Sequence, residues 1–310
     1  MSYRRKFRLI PRHDFDGLVG AVLLKELGMI DEIEFAHPKD MQDGKVNVSD
    51  RDIITNLPYT EGAYLVFDHH LSEANRVPSK GNYIFDPNAP SAAQVVYDHF
   101  GAESVFPGYV QEMLAAVNKT DSGLFTREEI LRPRGWILLH FLLDPRTGLG
   151  RFRNFEKTDQ ALMLNLTDNC RKQPIEQVMN HFDVTERSDR YFVLEEKFKE
   201  QLESCARHNE KTLVIDLREQ DVIFAGNRFW PYVLFPESNI SIHVIWGQGK
   251  KNTVFAVGKS IFDRSSPYNI GVRMFERGGG GHEAAGTCQV PNERADEILE
   301  EIIREISSTS

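Results

Sequence analysis

In the first half of this 310-residue sequence, short apolar segments alternate with amphipathic segments that have helical spacing. Short apolar segments predict buried strands, and the amphipathic segments between them predict helices. Regular alternation of the two predicts an α/β fold with a parallel sheet. The predicted strands are residues 7–10, 32–36, 46–48, 64–67 and 83–85, and the helices beside them are residues 17–27 and 91–100, the second with Ser91 as its N-cap.

The pattern changes along the rest of the chain. Helical spacing dominates residues 109–180, and charged residues at helical spacing in 191–208 predict a helix that connects two domains. We therefore expect a boundary near residue 190. Beyond it, short β-like segments lie at residues 212–216, 222–225, 240–246 and 253–257, followed by a glycine-rich loop and an amphipathic helix over residues 293–306.

Composition excludes several classes of protein. The formal net charge of −9 argues against general binding of long duplex DNA or of an anionic membrane surface. No apolar run of about 18 residues is present, so the sequence predicts no transmembrane helix. The three cysteines, Cys170, Cys205 and Cys288, form no C-x-x-C pair and are typical of reduced thiols. We expect a cytoplasmic protein.

Acidic and histidine side chains follow several of the predicted strands. Because the carboxyl ends of parallel strands meet at one edge of a sheet, such side chains converge there. Each group alone has an ordinary explanation as a helix cap or turn, but their combination predicts an oxygen-rich site with imidazole ligands for Mn²⁺, Mg²⁺ or Fe²⁺. The side chains are Asp14 and Asp16, then Asp50, then Asp68, His69 and His70, joined by Asp121 at the end of a predicted helix.

A second candidate site lies near the end of the chain, in the sequence Gly278–Gly281 followed by His282. Glycines let backbone N–H groups approach an anion, and a histidine can donate to a phosphate oxygen. Residues 241–290 contain six Lys or Arg but only three Asp or Glu. This local positive charge in an acidic chain predicts a small anion pocket.

These motifs together resemble those of the DHH/DHHA1 phosphoesterase family, which includes oligoribonucleases, bisphosphonucleotide phosphatases and exopolyphosphatase-like enzymes. Asp14-Phe-Asp16-Gly resembles the first motif, and Asp68-His69-His70 is the triplet that gives the family its name. Asp50, with Asp52 as a rival, resembles the second-motif aspartate, and Asp121 the last. The glycine-rich segment 279–286 resembles the DHHA1 signature.

The resemblance implies a particular domain organisation. Residues 1–185 would form the DHH catalytic domain, with a parallel sheet flanked by helices. Residues 186–210 would form a connecting helix, and residues 211–310 a smaller α/β DHHA1 domain that closes over the substrate across a cleft.

The resemblance also implies roles for individual residues. Two Mn²⁺ ions, with Mg²⁺ or Fe²⁺ as alternatives, would activate water: Asp16, Asp50, His69 and Asp121 would hold one, and Asp14 with the bridging Asp50 the other. His70 would assist at the scissile phosphate, and Asp68 would orient His69. The remaining candidates bind substrate, with Gly279, Gly280, Gly281 and His282 on its terminal phosphate and Arg277 and Ser91 beside them.

Two positions depart from the family pattern. Where many members have a histidine or aspartate before the first motif, this sequence has Ile10 and Arg12. Three interpretations follow: His13 replaces the missing ligand, or the Asp14 ion is held weakly, or Arg12 contacts phosphate directly.

The expected function is metal-dependent hydrolysis of short oligoribonucleotides or linear dinucleotides to mononucleotides. Bisphosphonucleotides and cyclic dinucleotides are related substrates, and polyphosphate is the alternative. A nucleotide-binding regulator with a degraded metal site is the alternative from another class. Expected partners are small phosphorylated substrates and neither long duplex DNA nor membranes, and a homodimer is left open.

Overall fold

The computed structural model describes residues 5–70, 80–152 and 154–309. The chain divides into two compact units, Met1–Tyr191 and Phe192–Ser310. Among the described helices, none combines the length and the apolar character that crossing a membrane requires.

The first unit is built on a five-stranded sheet in which every pair of neighbours is parallel. Its spatial order is β2-β1-β3-β4-β5. All five strands therefore end at the same edge, which confirms the predicted α/β fold and its parallel sheet. The strands are β1 (Phe7–Pro11), β2 (Ile30–Ile33), β3 (Asp52–Thr55), β4 (Leu65–Asp68) and β5 (Tyr83–Phe85).

Helices surround this sheet. The first is buried nearly all round, since Leu18, Val19 and Val22 have no exposed surface, and it therefore lies inside the unit. The described helices of this unit are α1 (Phe15–Glu26), α2 (Pro38–Gln42), α3 (Ala92–His99), α4 (Val110–Asp121), α5 (Arg127–Leu131), α6 (Gly135–Leu143), α7 (Asp159–Lys172) and α8 (Ile175–Met179). A long helix, α9 (Phe182–Cys205), then continues into the second unit.

One predicted strand of the first unit is wrong. Residues 46–48 form no strand: Val46 and Val48 pack only partly buried against a core cluster that contains Ile54. The strand is β3, whose four residues are all buried between β1 and β4. The run Ile53-Ile54 fits this central position because a strand covered on both faces needs consecutive apolar residues.

The second unit contains a six-stranded mixed sheet in the order β10-β11-β9-β8-β7-β6. Only β7 and β8 pair in parallel. The predicted strand at residues 222–225 is absent, and that segment is irregular. The elements are β6 (Ala206–Asn209), β7 (Thr212–Asp216), α10 (Trp230–Leu234), β8 (Ile240–Trp246), β9 (Thr253–Lys259), α11 (Ile270–Glu276), β10 (Gly280–His282), β11 (Ala285–Val290) and α12 (Ala295–Thr309).

The predicted C-terminal amphipathic helix is present as α12. Its buried side chains, Ile298, Ile302 and Ile306, recur every four residues and pack in one cluster with Ile242 and Phe255 of the sheet. This stripe covers one face of the sheet and gives the second unit its own core.

Candidate active site

The turn between β1 and α1 is tight, and Gly17 makes it possible. A Cβ on Gly17 would lie 1.8 Å from the carbonyl oxygen of Arg12, so no other residue fits without a shift of the backbone. The Gly17 N–H donates to Asp14 Oδ1 at 2.9 Å, which makes Asp14 the N-cap of α1. Asp16 is thereby fixed in the first turn of the helix.

Asp16 is a buried carboxylate at the edge where the strands end, with a residue exposure of 3%. The first two N–H groups of α3 donate to it, from Ala92 to Oδ2 at 2.9 Å and from Ala93 to Oδ1 at 2.8 Å. Burial and the negative charge of Asp121 raise the pKa of Asp16. The carboxylate is held rigidly in a place that favours a nearby cation.

His69 follows the end of β4 and lies beside Asp16 and Asp121. Its Nδ1 lies 3.1 Å from the Ala89 carbonyl oxygen, which can only accept, so Nδ1 is the donor. Nε2 lies 3.1 Å from Asp121 Oδ2 and 3.9 Å from Asp16 Oδ2. This buried atom makes no hydrogen bond of acceptable geometry. A buried imidazole nitrogen that faces two carboxylates in this way can serve as a metal ligand.

Asp16, His69 and Asp121 together form a group suited to a divalent ion. Each offers one ligand atom, and these atoms lie within 4.8 Å of one another. It is the only such group of three or more acidic, histidine or cysteine side chains found among the described residues. Two carboxylates and one imidazole suit Mn²⁺, Mg²⁺ or Fe²⁺. The residues present therefore fit one ion.

The pKa shifts of His69 and Asp121 also indicate a site for a cation. Burial lowers the pKa of His69, but the carboxylates of Asp121 and Asp16 outweigh it and raise that pKa to about 9. The imidazole in turn lowers the pKa of Asp121 against the opposing effect of partial burial, since the Asp121 side chain is 26% exposed. Without a metal, a proton on His69 balances the two carboxylates, and a bound cation would displace that proton.

Asp68, the first residue of the DHH triplet, bonds to the ring of His70 and not to the ring of His69. It is completely buried, and its Oδ1 accepts from His70 Nδ1 at 2.7 Å and from the His69 backbone N–H at 2.9 Å. Its Oδ2 accepts from the Tyr83 hydroxyl at 3.1 Å. The prediction that Asp68 orients the His69 ring is wrong, because the Ala89 carbonyl occupies His69 Nδ1.

Asp50 and Asp52 lie at the opposite edge of the sheet, where β3 begins. Asp50 is 78% exposed and pairs with Arg5 at 2.7 Å, and Asp52 is buried against Arg8 at 2.7 Å. Neither joins the metal group, so the prediction of either as a bridging ligand is wrong. The error follows from the misplaced strand: the residue that follows the end of β3 is Asn56.

Asn56 and Arg12 instead surround Asp14. The Asn56 Nδ2 atom lies 3.3 and 3.4 Å from the two Asp14 carboxylate oxygens, and Arg12 Nε lies 2.8 Å from Asp14 Oδ2. Sequence reasoning missed Asn56, although its place after the apolar run 53–54 was the available signal. It also missed Arg146, whose pKa is raised, against the effect of partial burial, by Asp144 first and then by Asp121 and Asp14.

The two other candidates of the first unit lie elsewhere. Ser91 is fully buried, where it caps α3 by accepting from the Gln94 N–H and donates to Asn118 at 2.6 Å, so it has no surface for a substrate. His13 is outside the metal group. It lines a cavity of about 240 Å³, whose wall also includes Asp144, Arg151, Phe155 and Arg187.

In the second unit, the glycine-rich segment forms a tight hairpin. Gly281 pairs with Gly286 across β10 and β11, and a Cβ on Gly279 would lie 2.0 Å from the Thr287 carbonyl oxygen. His282 is exposed at the end of β10. Arg277 lies just before the hairpin, where its guanidinium bonds to Glu305 of α12 at 2.5 Å.

The chain is similar to several solved structures. It is 51% identical to the pGpG-specific phosphodiesterase PggH from Vibrio cholerae, in a match that covers 98% of this chain and 100% of that chain with a TM-score of 0.85. RecJ from Thermus thermophilus in complex with Mn²⁺ is 15% identical, with a TM-score of 0.62 over 99% of this chain and 52% of that chain. Its complex with Mg²⁺ is 16% identical, with a TM-score of 0.56.

The likeness to RecJ is one of fold. No family model and no curated protein sequence matches the chain.

Proposed function

Because the chain belongs to the DHH/DHHA1 family of phosphoesterases, we propose that it is a metal-dependent phosphodiesterase that hydrolyses 5′-phosphorylated linear dinucleotides, pGpG foremost, to mononucleotides. The observation that carries this proposal is the full-length identity of 51% to a pGpG-specific phosphodiesterase. The group formed by Asp16, His69 and Asp121 supports it, since a degraded site would have lost one of these side chains.

Asp16, His69 and Asp121 would hold the ion. When bound, a divalent ion polarises a phosphoryl oxygen and lowers the pKa of a coordinated water. Asp16 is prepared for this task by the two N–H groups at the start of α3, which fix both of its oxygens. His69 is fixed by its bond to Ala89, so little conformational entropy is lost on binding. We expect Mn²⁺ to be the ion, with Mg²⁺ or Fe²⁺ as alternatives.

His70 would move a proton in the reaction. Its Nδ1 donates to the buried carboxylate of Asp68, which fixes the tautomer in which Nε2 is the basic atom. The Tyr83 hydroxyl holds the other oxygen of Asp68 and so limits rotation of the carboxylate. This arrangement supports a general acid or base at His70 Nε2, with Asp68 as its positioning residue.

Positive side chains would attract the substrate phosphates in spite of the acidic composition of the chain. Arg146, at the Asp144 side of the cavity, is half exposed and lies in the field of Asp14 and Asp121. The cavity itself, with both apolar and charged walls, has room for a flat ring such as a nucleobase.

The second unit would bind the far end of the substrate. Gly279, Gly280, Gly281 and His282 would hold its terminal phosphate, as the resemblance implies, and Arg277 would add positive charge nearby. In this proposal the residues 1–185 are catalytic, 186–210 connect, and 211–310 bind substrate. The homodimer and the cytoplasmic location stay predictions.

Hydrolysis by metal-stripped protein, with Mn²⁺ or Mg²⁺ added back, tests the proposal. The substrates are pGpG, other 5′-phosphorylated dinucleotides, a five- to seven-nucleotide RNA, a bisphosphonucleotide, a cyclic dinucleotide and polyphosphate. We expect metal-restored release of mononucleotides, fastest from pGpG, and none from an Asp121→Asn variant. Release of phosphate from polyphosphate alone, or binding of nucleotides without turnover, would overturn the proposal.

A further inference from the structure

We infer that this chain binds a single divalent ion, held by Asp16, His69 and Asp121, and that the guanidinium of Arg12 occupies the place beside Asp14 where the resemblance implies a second ion. The inference rests on the proposed function only for the presence of an ion at the first site. It concerns the number of ions and the origin of the remaining positive charge, neither of which the dinucleotide substrate defines.

The donors around Asp14 are the first argument. Its Oδ2 is 2.8 Å from Arg12 Nε, its Oδ1 accepts from the Gly17 N–H at 2.9 Å, and Asn56 Nδ2 lies within 3.4 Å of both oxygens. A metal ligand must offer a lone pair in a direction free of positive charge. Arginine keeps its charge at every accessible pH, so a cation at Asp14 Oδ2 would be repelled by a guanidinium at contact distance.

The position of Arg12 is built into the fold. It directly follows β1, where its backbone N–H donates to the Thr55 carbonyl oxygen at 3.1 Å and where it forms a bridge with Ala36. Its side chain is 27% exposed and that of Asp14 15%, so the ion pair is only partly open to solvent. Partial burial strengthens the pair relative to a surface ion pair. The guanidinium is thus a fixed charge beside Asp14.

The end of β3 supplies the second argument. Two ions a few ångströms apart repel each other, and a carboxylate that bridges them offsets this repulsion. The side chain that β3 delivers to this edge is Asn56, a neutral amide that is 2% exposed and has a left-handed φ of 58°. The carboxylates predicted for the bridge, Asp50 and Asp52, lie at the other end of the strand.

Charge balance is the third argument. Asp14 and Arg12 neutralise each other, and Asp16 with Asp121 matches the charge of one divalent ion. The next basic group, Arg146, is already paired with Asp144 at 2.7 Å. Among the described residues of this cluster, no carboxylate charge is left over to attract a second ion. The free-energy cost of desolvating that ion would therefore not be offset.

The inference assigns Arg12 a direct task. A guanidinium that is 27% exposed beside the metal group can donate to a phosphoryl oxygen of the bound substrate. Arg12 would stabilise the developing negative charge that a second ion stabilises in two-ion sites. This positive charge depends neither on uptake of a proton nor on binding of a metal ion, because a guanidinium is permanently charged.

Metal stoichiometry without substrate is the decisive experiment. Metal-free protein is titrated with Mn²⁺ by calorimetry, bound metal is counted by mass spectrometry after gel filtration, and the Mn²⁺ electron paramagnetic resonance spectrum is recorded. We expect one ion per chain, an uncoupled spectrum, and loss of the ion in Asp121→Asn. Two ions with an exchange-coupled spectrum, or no bound ion, would overturn the inference.

Two further variants separate Asp14 from the metal group. Asn is as good an N-cap as Asp, so Asp14→Asn keeps α1 intact, and we expect it to bind one ion with an affinity within a few fold of the parent. The double variant Arg12→Ala/Asn56→Asp restores a carboxylate and removes the guanidinium, and we expect it to bind a second ion. A double variant that stays at one ion would contradict the exclusion by Arg12 and Asn56.

These results are independent of the substrate. A chain that binds one ion but does not hydrolyse dinucleotides would contradict the proposed function and leave the inference standing. A chain that hydrolyses pGpG with two bound ions would do the reverse.

Discussion

The Nε2 atom of His69 lies 3.1 Å from Oδ2 of Asp121, although the two residues come from different kinds of element. His69 follows a strand of the parallel sheet, and Asp121 ends helix α4. The contact closes a group with Asp16 in which two carboxylates face one imidazole. In the function that we propose, this group holds the metal ion and the activity depends on it.

Substitution of a ligand in this group should weaken metal binding much more than it weakens folding. For Asp121→Asn we expect an Mn²⁺ affinity at least tenfold lower and a matching loss of hydrolysis, because one of two charges is lost. Isothermal titration measures the affinity. Asp50→Asn is the matched control, since Asp50 is exposed at the opposite edge. Equal losses in both variants would contradict the site.

Asp68→Asn should impair catalysis and leave most metal binding intact. The buried carboxylate bonds to His70 Nδ1 and not to the His69 ring, so its loss disturbs the tautomer of His70. We expect kcat to fall on the order of 10- to 100-fold, with an Mn²⁺ affinity changed by less than that. Tyr83→Phe, which removes one hydrogen bond to Asp68, should have a milder effect. A loss confined to metal affinity would contradict this assignment.

Two neighbouring glycines in the hairpin of the second unit differ in the space that they leave for a side chain. A Cβ on Gly279 would lie 2.0 Å from the Thr287 carbonyl oxygen, whereas a Cβ on Gly280 would have no heavy atom within 4 Å. We expect Gly279→Ala to lower the free energy of unfolding by about 1–3 kcal/mol and Gly280→Ala to leave it nearly unchanged. Thermal denaturation compares the two variants. The reverse order would show a different backbone in this hairpin.

Stability should also fall in mild acid because of His243. Burial in the sheet lowers the pKa of His243 to about 4, from its usual 6.5. Between these values the unfolded chain binds a proton that the folded chain does not, so the free energy of unfolding decreases as the pH falls through this window.

The size of this effect can be isolated by substitution. Because the side chain is not fully buried, we expect the contribution of His243 between about pH 7.5 and pH 5 to be on the order of 1 kcal/mol. Denaturation of the parent chain and of His243→Gln at both pH values measures it. The variant should lose less stability in acid, and identical pH dependence would exclude His243 as the cause.

Local sequence predicted the class of the fold and named the three side chains, Asp16, His69 and Asp121, that the structure brings together. Apolar period and spacing indicate which segments are buried strands, and in a parallel sheet all strands end at one edge. Asp16 lies in the first turn of α1, and His69 directly follows β4. Both elements have a clear apolar pattern, so local sequence was enough to place these two residues at that edge. The glycine after Asp16 marks the tight turn for the same local reason.

The surroundings of Asp14, in contrast, depend on how separate elements pack against one another. Val46 and Val48 are as apolar as a strand requires, yet they pack without pairing, and β3 lies six residues further along. That shift moves Asp50 to the far edge and brings Asn56 to the site. The partner of Arg12, like that of Asp68, depends on contacts of 2.7 to 2.8 Å between side chains. Apolar period specifies which residues are buried, but not which polar atoms meet, because those contacts arise only when separate elements pack.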